Sequence, residues 1–436
     1  MIIVLMGVSG NGKSTIGKRL GKKLGWEFLD ADDFHSPQNI AKMASATALS
    51  DSDRWPWLEL LAEQLKRRIK HGVSAVLACS ALKQSYRQRL APDPANVHFV
   101  HLQGNYDLVL SRLEKRRDHF MPAGLLRSQF AELEPLLDGV VVSIDQKPDS
   151  IVEHIINALA LNNQHHTSTL VDGLMFPEAP RWHHGELWFT DQHARRVLRL
   201  NADGSLFEVI KTPDLPGGLG WLPDGTLLVV QMTERTVCSI VNSRLKPYAD
   251  LSGLAGFHCN DMLVDAQGRA WVGNFGYDLH RGEAVKSAEI ILIPVHGPPR
   301  IAARDVIFPN GMAITADGNT LIVAETFAAR ITAFDISVDG QLSNARLWAD
   351  LKGSFPDGLC LNPDGTLWVA APNINQVLHL REGGEILSRV FTHARPYACA
   401  IGGHNDDKLY ITSSATDDPE NAKVWKSGRI EVVSLG

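Results

Sequence analysis

Apolar residues fall into two textures along this chain. In residues 1–161 they gather into short uninterrupted runs: IIVLM (2–6), SAVLACS (74–80), VHFVHL (97–102) and VVVSID (140–145). Between them lie stretches with helical spacing, such as STIGKRLGKKL (14–24) and PWLELLAEQLKRRIK (56–70). Continuous apolar strands alternating with helices predict a parallel sheet covered on both faces, a doubly wound α/β domain. The helical stretch SIVEHIINALAL (150–161) then runs into NNQHHTST (162–169), polar and without periodicity, which reads as a linker.

From residue 170 to 436 short strands instead follow D-G or similar turns: HHGELWFTD, PDGTLLVVQ, AQGRAWVGN, ADGNTLIVAE, PDGTLWVAA and NDDKLYITS. Leu187, Leu227, Ala270, Leu321, Leu367 and Leu409 occupy equivalent places in them, at spacings of 40, 43, 51, 46 and 42 residues. Six units of about four strands with that period predict a six-bladed β-propeller. Six recurrences of the same turn-then-strand pattern argue against an irregular sandwich.

Composition narrows the setting. The chain has 436 residues, 44% apolar and 21% charged, too long for one ordinary domain and typical of a soluble protein. A net charge of −6 offers no basic footprint for nucleic acid. Cys79, Cys238, Cys259, Cys360 and Cys399 are scattered and odd in number, which fits reduced thiols in a cytoplasmic protein. No apolar run reaches membrane length, and IIVLM leads straight into a glycine loop, so it reads as a buried strand.

That loop carries the first chemistry. Residues 7–14, GVSGNGKS, fit G-x-x-x-x-G-K-[ST] between a strand and a helix. Gly7, Gly10 and Gly12 let backbone N–H groups, with that of Ser9, turn inward on phosphates, and the helix start at Ser14 and Thr15 adds its dipole. Lys13 would reach the β/γ-phosphates and Ser14 would hold Mg²⁺. The loop alone does not separate a kinase from a nucleotide hydrolase. FLDADDFH (28–35), however, places Asp30, Asp32 and Asp33 at the sheet's carboxyl edge, where a carboxylate can orient a hydroxyl and take its proton. Lys42, Arg54, Lys83 and Arg87 follow, cations that an acidic acceptor needs and a hydrolase does not. RLEKRRDHF (112–120) then supplies Arg112, Arg116, Arg117 and His119, arginines suited to a lid over the transferred phosphoryl group.

MGVSGNGKST, FLDADDFHSPQNIAKM, DRWPWL, CSALKQSYR and HFMPAGLLRSQFAELE together resemble the gluconokinase family over residues 1–160. The resemblance implies ATP- and Mg²⁺-dependent phosphorylation of gluconate, with Asp32 as base and Asp30 near the metal. It further implies Lys83 and Arg87, with Arg54 and His35, as ligands of the sugar acid, and Arg112 and Arg116 as lid arginines. Arg117-Asp118 stands where that family usually has Lys-Gly, and EPLLDGVVVSID is shortened where it carries a longer acidic loop.

In the second part, polar residues recur about ten positions before the strand that marks each unit: Glu178, Asn260-Asp261, Asn310 and Asp357. Singly each could be a turn former. As a set at matching blade positions they predict oxygen ligands converging on a hard or borderline divalent cation. EAPRW, NDMLVDAQG, FPNGMA, AETF and FPDG are similar to the gluconolactonase/regucalcin family over residues 170–436. That likeness implies Glu178, Asn310 and Asp357 as ligands of Ca²⁺ or Zn²⁺, with Asn260 contacting substrate and Asp261 supporting it. Asp357 would be the proton acceptor in lactone hydrolysis. His258 stands where that family often has a substrate-binding arginine. His165, His166, His183, His184 and His193 lie in linker or turn sequence and read as solvated.

The expectation is therefore a bifunctional cytoplasmic enzyme: residues 1–161 a gluconokinase-like domain, 162–169 a linker, 170–436 a lactonase-like propeller. Its partners are small molecules, with neither nucleic acid nor membrane, and a homo-oligomer through the first domain is allowed. The rival expectations are a propeller for another aldonolactone, or a non-catalytic metal-dependent binding module.

Overall fold

The computed structural model describes residues 1–45, 47–91, 93–114, 124–161, 164–201 and 203–435. The chain divides into two compact units, Met1–Asn162 and Asn163–Gly436.

The first unit is a five-stranded parallel sheet. Its strands are β1 (Ile2–Met6), β2 (Glu27–Asp30), β3 (Ala75–Ala78), β4 (Val97–Gln103) and β5 (Val140–Ser143), in the order β2-β3-β1-β4-β5. Helices α1 (Lys13–Leu24), α2 (Pro37–Ala44), α3 (Asp51–Lys70), α4 (Gln84–Leu90), α5 (Tyr106–Glu114), α6 (Gly124–Glu132) and α7 (Pro148–Ala158) connect them. The unbroken IIVLM run is apolar because alternate residues serve opposite layers. Ile3 and Leu5 pack with Ile16 and Leu20 of α1 and Ile151 of α7, while Ile2, Val4 and Met6 pack with Leu58, Leu61 and Leu65 of α3. The carboxyl ends of β1, β2 and β3 lead directly into the loops that carry the motifs.

The second unit is a six-bladed propeller. Its innermost strands are Pro177–His183, Pro216–Trp221, Cys259–Val264, Pro309–Ile314, Leu359–Leu361 and Arg395–Gly402. The six marker residues all fall at the first or second position of the next strand out, and all are buried. In five blades the intervening hairpin turns on a left-handed glycine, Gly185, Gly225, Gly268, Gly318 or Gly365, with φ between 74° and 86°. Asp406 takes that conformation in the sixth, at φ 55°.

Five of the six inner strands are irregular at their first residues, Leu359–Leu361 being the exception. Register with the neighbouring strand shifts between Glu178 and Arg181, Pro216 and Leu219, Cys259 and Met262, Pro309 and Met312, and Pro396 and Ala398. Such bulges re-aim side chains, here at the same place in five blades. Close approach of successive blades accompanies them. A Cβ on Gly311 would lie 2.4 Å from the Leu359 nitrogen, and one on Gly358 would lie 2.2 Å from Ala398 Cβ, so only glycine fits.

The expected linker is not one. Gln164–His166 adds as a parallel fifth strand beside Glu385–Phe391, and Ser168–Leu174 pairs antiparallel with Gly428–Ser434 as the outermost strand of blade six. Outer strands face solvent and need no apolar alternation, so their polar sequence conceals them; the sheet edges nonetheless satisfy their backbone groups. His165 and His166 thus lie in a strand, and His166 stacks on Phe391. Among the described residues no helix is long and apolar enough to cross a membrane, and the five cysteines are free thiols.

Candidate functional site

In the first unit a cavity of about 400 Å³ opens over the carboxyl edge of the sheet. On one side Ser9, Gly10, Gly12, Lys13 and Ser14 line it. Gly12, the N-cap of α1, offers no side chain to the first-turn amides, which leaves them to an anion. Lys13 Nζ rests on the carbonyls of Gly7 and Val8 at 2.9 and 3.0 Å. Ser14 Oγ donates to Asp30 Oδ2 at 2.6 Å, and Asp30 Oδ1 accepts from the Asp32 amide at 3.3 Å. Hydroxyl and carboxylate so placed beside a phosphate loop could serve as ligand and outer-shell partner of Mg²⁺. Gly7 and Thr15 flank the loop without lining the cavity.

On the acceptor side stand Asp32, His35 and Arg54. His35 stacks on Trp57 with ring centroids 4.3 Å apart, and its Nε2 lies 3.9 Å from Asp32 Oδ1. Burial outweighs the pull of Asp32 and, with Arg54 nearby, holds the imidazole below its usual range. Arg54 Nη1 donates to Tyr86 Oη at 3.0 Å and to Glu132 Oε2 at 2.9 Å.

Other predicted ligands are placed elsewhere. Lys83 binds Asp51 at 2.8 and 3.1 Å, and Lys42 binds Asp53 at 2.6 Å; neither lines the cavity. Arg87 is buried. Its guanidinium donates to the carbonyls of Ala81, Leu82, Glu134 and Pro135, so it bonds backbone rather than a sugar acid. Arg112 Nη2 donates to the Ile144 carbonyl at 2.8 Å. Arg116, Arg117 and His119 lie outside the described residues. The spacing of charges in a sequence cannot distinguish a cation that meets a ligand from one that meets backbone carbonyls. Sequence reasoning also missed Gln129 and Glu132 of α6, both in the cavity wall.

In the propeller Glu178, Asn260, Asn310 and Tyr397 lie at bulged inner-strand positions in four blades, and Asp357 lies just before the unbulged inner strand of a fifth. Glu178 keeps a strip of surface but is otherwise enclosed. Burial, reinforced by Asp261 and opposed by the Ala179 amide and Arg181, pushes its carboxyl up to about 8. Burial and the charges of Glu178 and Asp261 push Asp357 well above the carboxylate range, against its hydrogen bond with Asn310. Two enclosed carboxyls whose charges raise one another, beside the Asn310 amide, form a donor set that a divalent cation fits. Among the described residues no group of three or more His, Cys, Asp or Glu could hold a metal, so a site here depends on Asn310 as third ligand.

Asn260 Nδ2 donates to the Pro309 carbonyl at 3.3 Å. Asp261 is committed to Arg181 Nη2 at 2.5 Å and the Met262 amide at 2.8 Å, which suits a supporting residue. His258 stacks on Phe257, and an aromatic run continues through Phe275, Phe308 and Phe327. The histidines read as solvated are partly engaged: His183 stacks on Trp221 at 4.0 Å, and His193 Nε2 meets the Asp417 carbonyl at 3.0 Å. Tyr397 escaped sequence reasoning because RPYA lacks the Asn/Asp-Gly turn. The usable signal was proline, which immediately precedes the position as Pro177, Pro309, Pro356 and Pro396.

Two family models match this chain: "SMP-30/Gluconolactonase/LRE-like region" over residues 176–415 and "Shikimate kinase" over residues 9–160. A gluconokinase of Arabidopsis thaliana is 46% identical over 177 residues, which cover 36% of this chain and 94% of that protein. A gluconokinase of Gluconobacter oxydans is 44% identical over 157 residues, 35% of this chain and 88% of that one. A gluconolactonase structure from Xanthomonas campestris covers 62% of this chain and 89% of its own, at TM-score 0.52 and 22% identity, a likeness of fold.

Proposed function

We propose, since this chain belongs to the gluconokinase family through its first unit and to the SMP-30/gluconolactonase/LRE-like family through its second, that it catalyses two consecutive reactions. The propeller hydrolyses glucono-1,5-lactone to gluconate, and the first unit phosphorylates gluconate to 6-phosphogluconate. The observation that carries the reading is the joining, in one cavity, of a phosphate loop, Asp32 and an arginine able to hold a carboxylate.

In the kinase site the loop amides and Lys13 bind the phosphates of ATP, Arg54 binds the acceptor's carboxylate, and Asp32 takes the proton of the attacking hydroxyl. Mg²⁺ on Ser14, oriented by Asp30, would neutralise phosphate charge. His35, neutral and fixed by Trp57, can donate to or accept from a sugar hydroxyl without adding charge. In the propeller Asp357 accepts the proton of the attacking water, while Asn260 orients the lactone. A divalent cation on Glu178, Asn310 and Asp357 would polarise the lactone carbonyl.

His258, standing where the lactonase family often has a substrate-binding arginine, favours a second reading for the propeller alone, a different aldonolactone. The test supplies purified protein with ATP, Mg²⁺ and either lactone or gluconate, following acid release and ADP separately. Lys13→Ala should abolish ADP formation and spare lactone opening; Asp357→Ala should do the reverse. Lactone opening that survives Asp357→Ala undiminished above the spontaneous rate would sink the propeller mechanism.

A further inference from the structure

Helix α6 touches both halves of the kinase cavity. Gln129 and Glu132 are three residues apart, on one face of the helix. Gln129 Oε1 accepts a 2.7 Å hydrogen bond from the amide of Ser9 in the phosphate loop, and Glu132 Oε2 accepts one of 2.9 Å from Arg54. All four residues line the cavity. Both donors have a natural affinity for anions: a loop amide for phosphate, a guanidinium for carboxylate. In the structure a neutral amide oxygen and a carboxylate of the protein itself stand on them.

We infer that α6 couples the binding of nucleotide and acceptor, with Gln129 and Glu132 as its positioning residues. The inference rests on the kinase reading above. Nucleotide phosphates draw on the loop at Ser9, and the acceptor's carboxylate competes with Glu132 for Arg54. A ligand that loosens one tie weakens the other, because both leave from a single nine-residue helix. Whichever ligand arrives first bears the cost of moving the helix, and the second binds more tightly. By linkage the enhancement is the same in either order.

The chain beyond the helix is held in place. The Glu134 amide donates to the Leu82 carbonyl at 3.0 Å, and the carbonyls of Glu134 and Pro135 accept from Arg87. Arg87, unused as a sugar-acid ligand, pins the segment about which α6 would turn.

Calorimetric titration of the full-length protein tests this. A non-hydrolysable ATP analogue with Mg²⁺ is titrated with and without saturating gluconate, and gluconate with and without the analogue. Each ligand should tighten the other by about 5- to 150-fold. In Gln129→Ala/Glu132→Ala that factor should fall to near one, while each ligand alone binds more tightly than to the unaltered protein. Glu132→Gln, which keeps the bulk of the side chain, should strengthen gluconate binding without analogue present and lower the factor. An undiminished factor in the double variant, or none in the unaltered protein while both ligands bind, overturns the coupling. If gluconate neither binds nor elicits ADP, the kinase reading itself fails, and the coupling with it.

Discussion

The hydroxyl of Ser14, in the first turn of α1, donates a 2.6 Å hydrogen bond to the Asp30 carboxylate at the end of β2. The contact joins the phosphate loop to the acidic edge that would hold the acceptor, over the carboxyl end of β3, which lies between β1 and β2. If Asp30 orients the oxygen that meets Mg²⁺, Asp30→Asn should weaken the apparent Mg²⁺ affinity in ADP formation by about 10- to 100-fold. Lactone opening should be unaffected. Titrating Mg²⁺ against initial rate checks it, and an unchanged half-saturation would remove Asp30 from the metal's surroundings.

Arg54 and Arg87 should part company on mutation. Arg54→Ala removes a charge-assisted hydrogen bond to the acceptor, about 1.5–3 kcal/mol, or roughly a 10- to 100-fold rise in gluconate KM. Arg87→Met instead strips donors from buried carbonyls. It should lower the Tm of the kinase unit by roughly 5–10 °C, with little change in KM. Thermal unfolding and steady-state kinetics on both variants separate the two roles.

Chelation should silence the propeller reversibly. Because protons compete with a cation for Glu178 and Asp357, both raised, apparent cation affinity should climb with pH through about 8, the value to which Glu178 is raised. Calcium, zinc, manganese and magnesium added singly to stripped protein would show which restores activity. Asp357→Asn should cost about 10²–10⁴ in lactone hydrolysis.

Acid should open the propeller near its closing strand. Glu431 is buried; its carboxylate accepts from Ser413, Thr167 and both the amide and ring of His393. Burial, the largest influence, would raise its pKa, but these hydrogen bonds together hold it below the ordinary 4.5. A depressed carboxyl contributes stability above its unfolded value and loses it as pH falls through the folded one. The propeller's Tm should therefore drop from about pH 5 downward, and Glu431→Gln should lower the Tm at neutral pH and flatten that dependence. A parallel acid profile in the variant would count against the assignment.

The sheet and the blades were legible because both rest on local rules, continuous apolar strands in one half and a left-handed hairpin residue every 40 or so positions in the other. The phosphate loop was legible for the same reason. What escaped depends on long-range partners. Thr167, read as linker, bonds Glu431 across 264 residues. Arg87 meets carbonyls 47 and 48 residues away, and nothing within its own helix signals that. Tyr397 shows no Asn/Asp-Gly turn; what it shares with Glu178, Asn260 and Asn310 is a bulged backbone.

The strand Ser168–Leu174 is synthesised directly after the kinase unit, yet its partner, Gly428–Ser434, emerges some 250 residues later. At ~5–20 residues per second that interval is about 10–50 s, ample for the first unit to fold alone. Ring closure then waits on the synthesis of Gly428–Ser434, long after the first unit is made. Kinase capability would precede lactonase capability in each molecule, and a ribosome stalled within blade six would leave a finished kinase trailing an unclosed β-sheet edge.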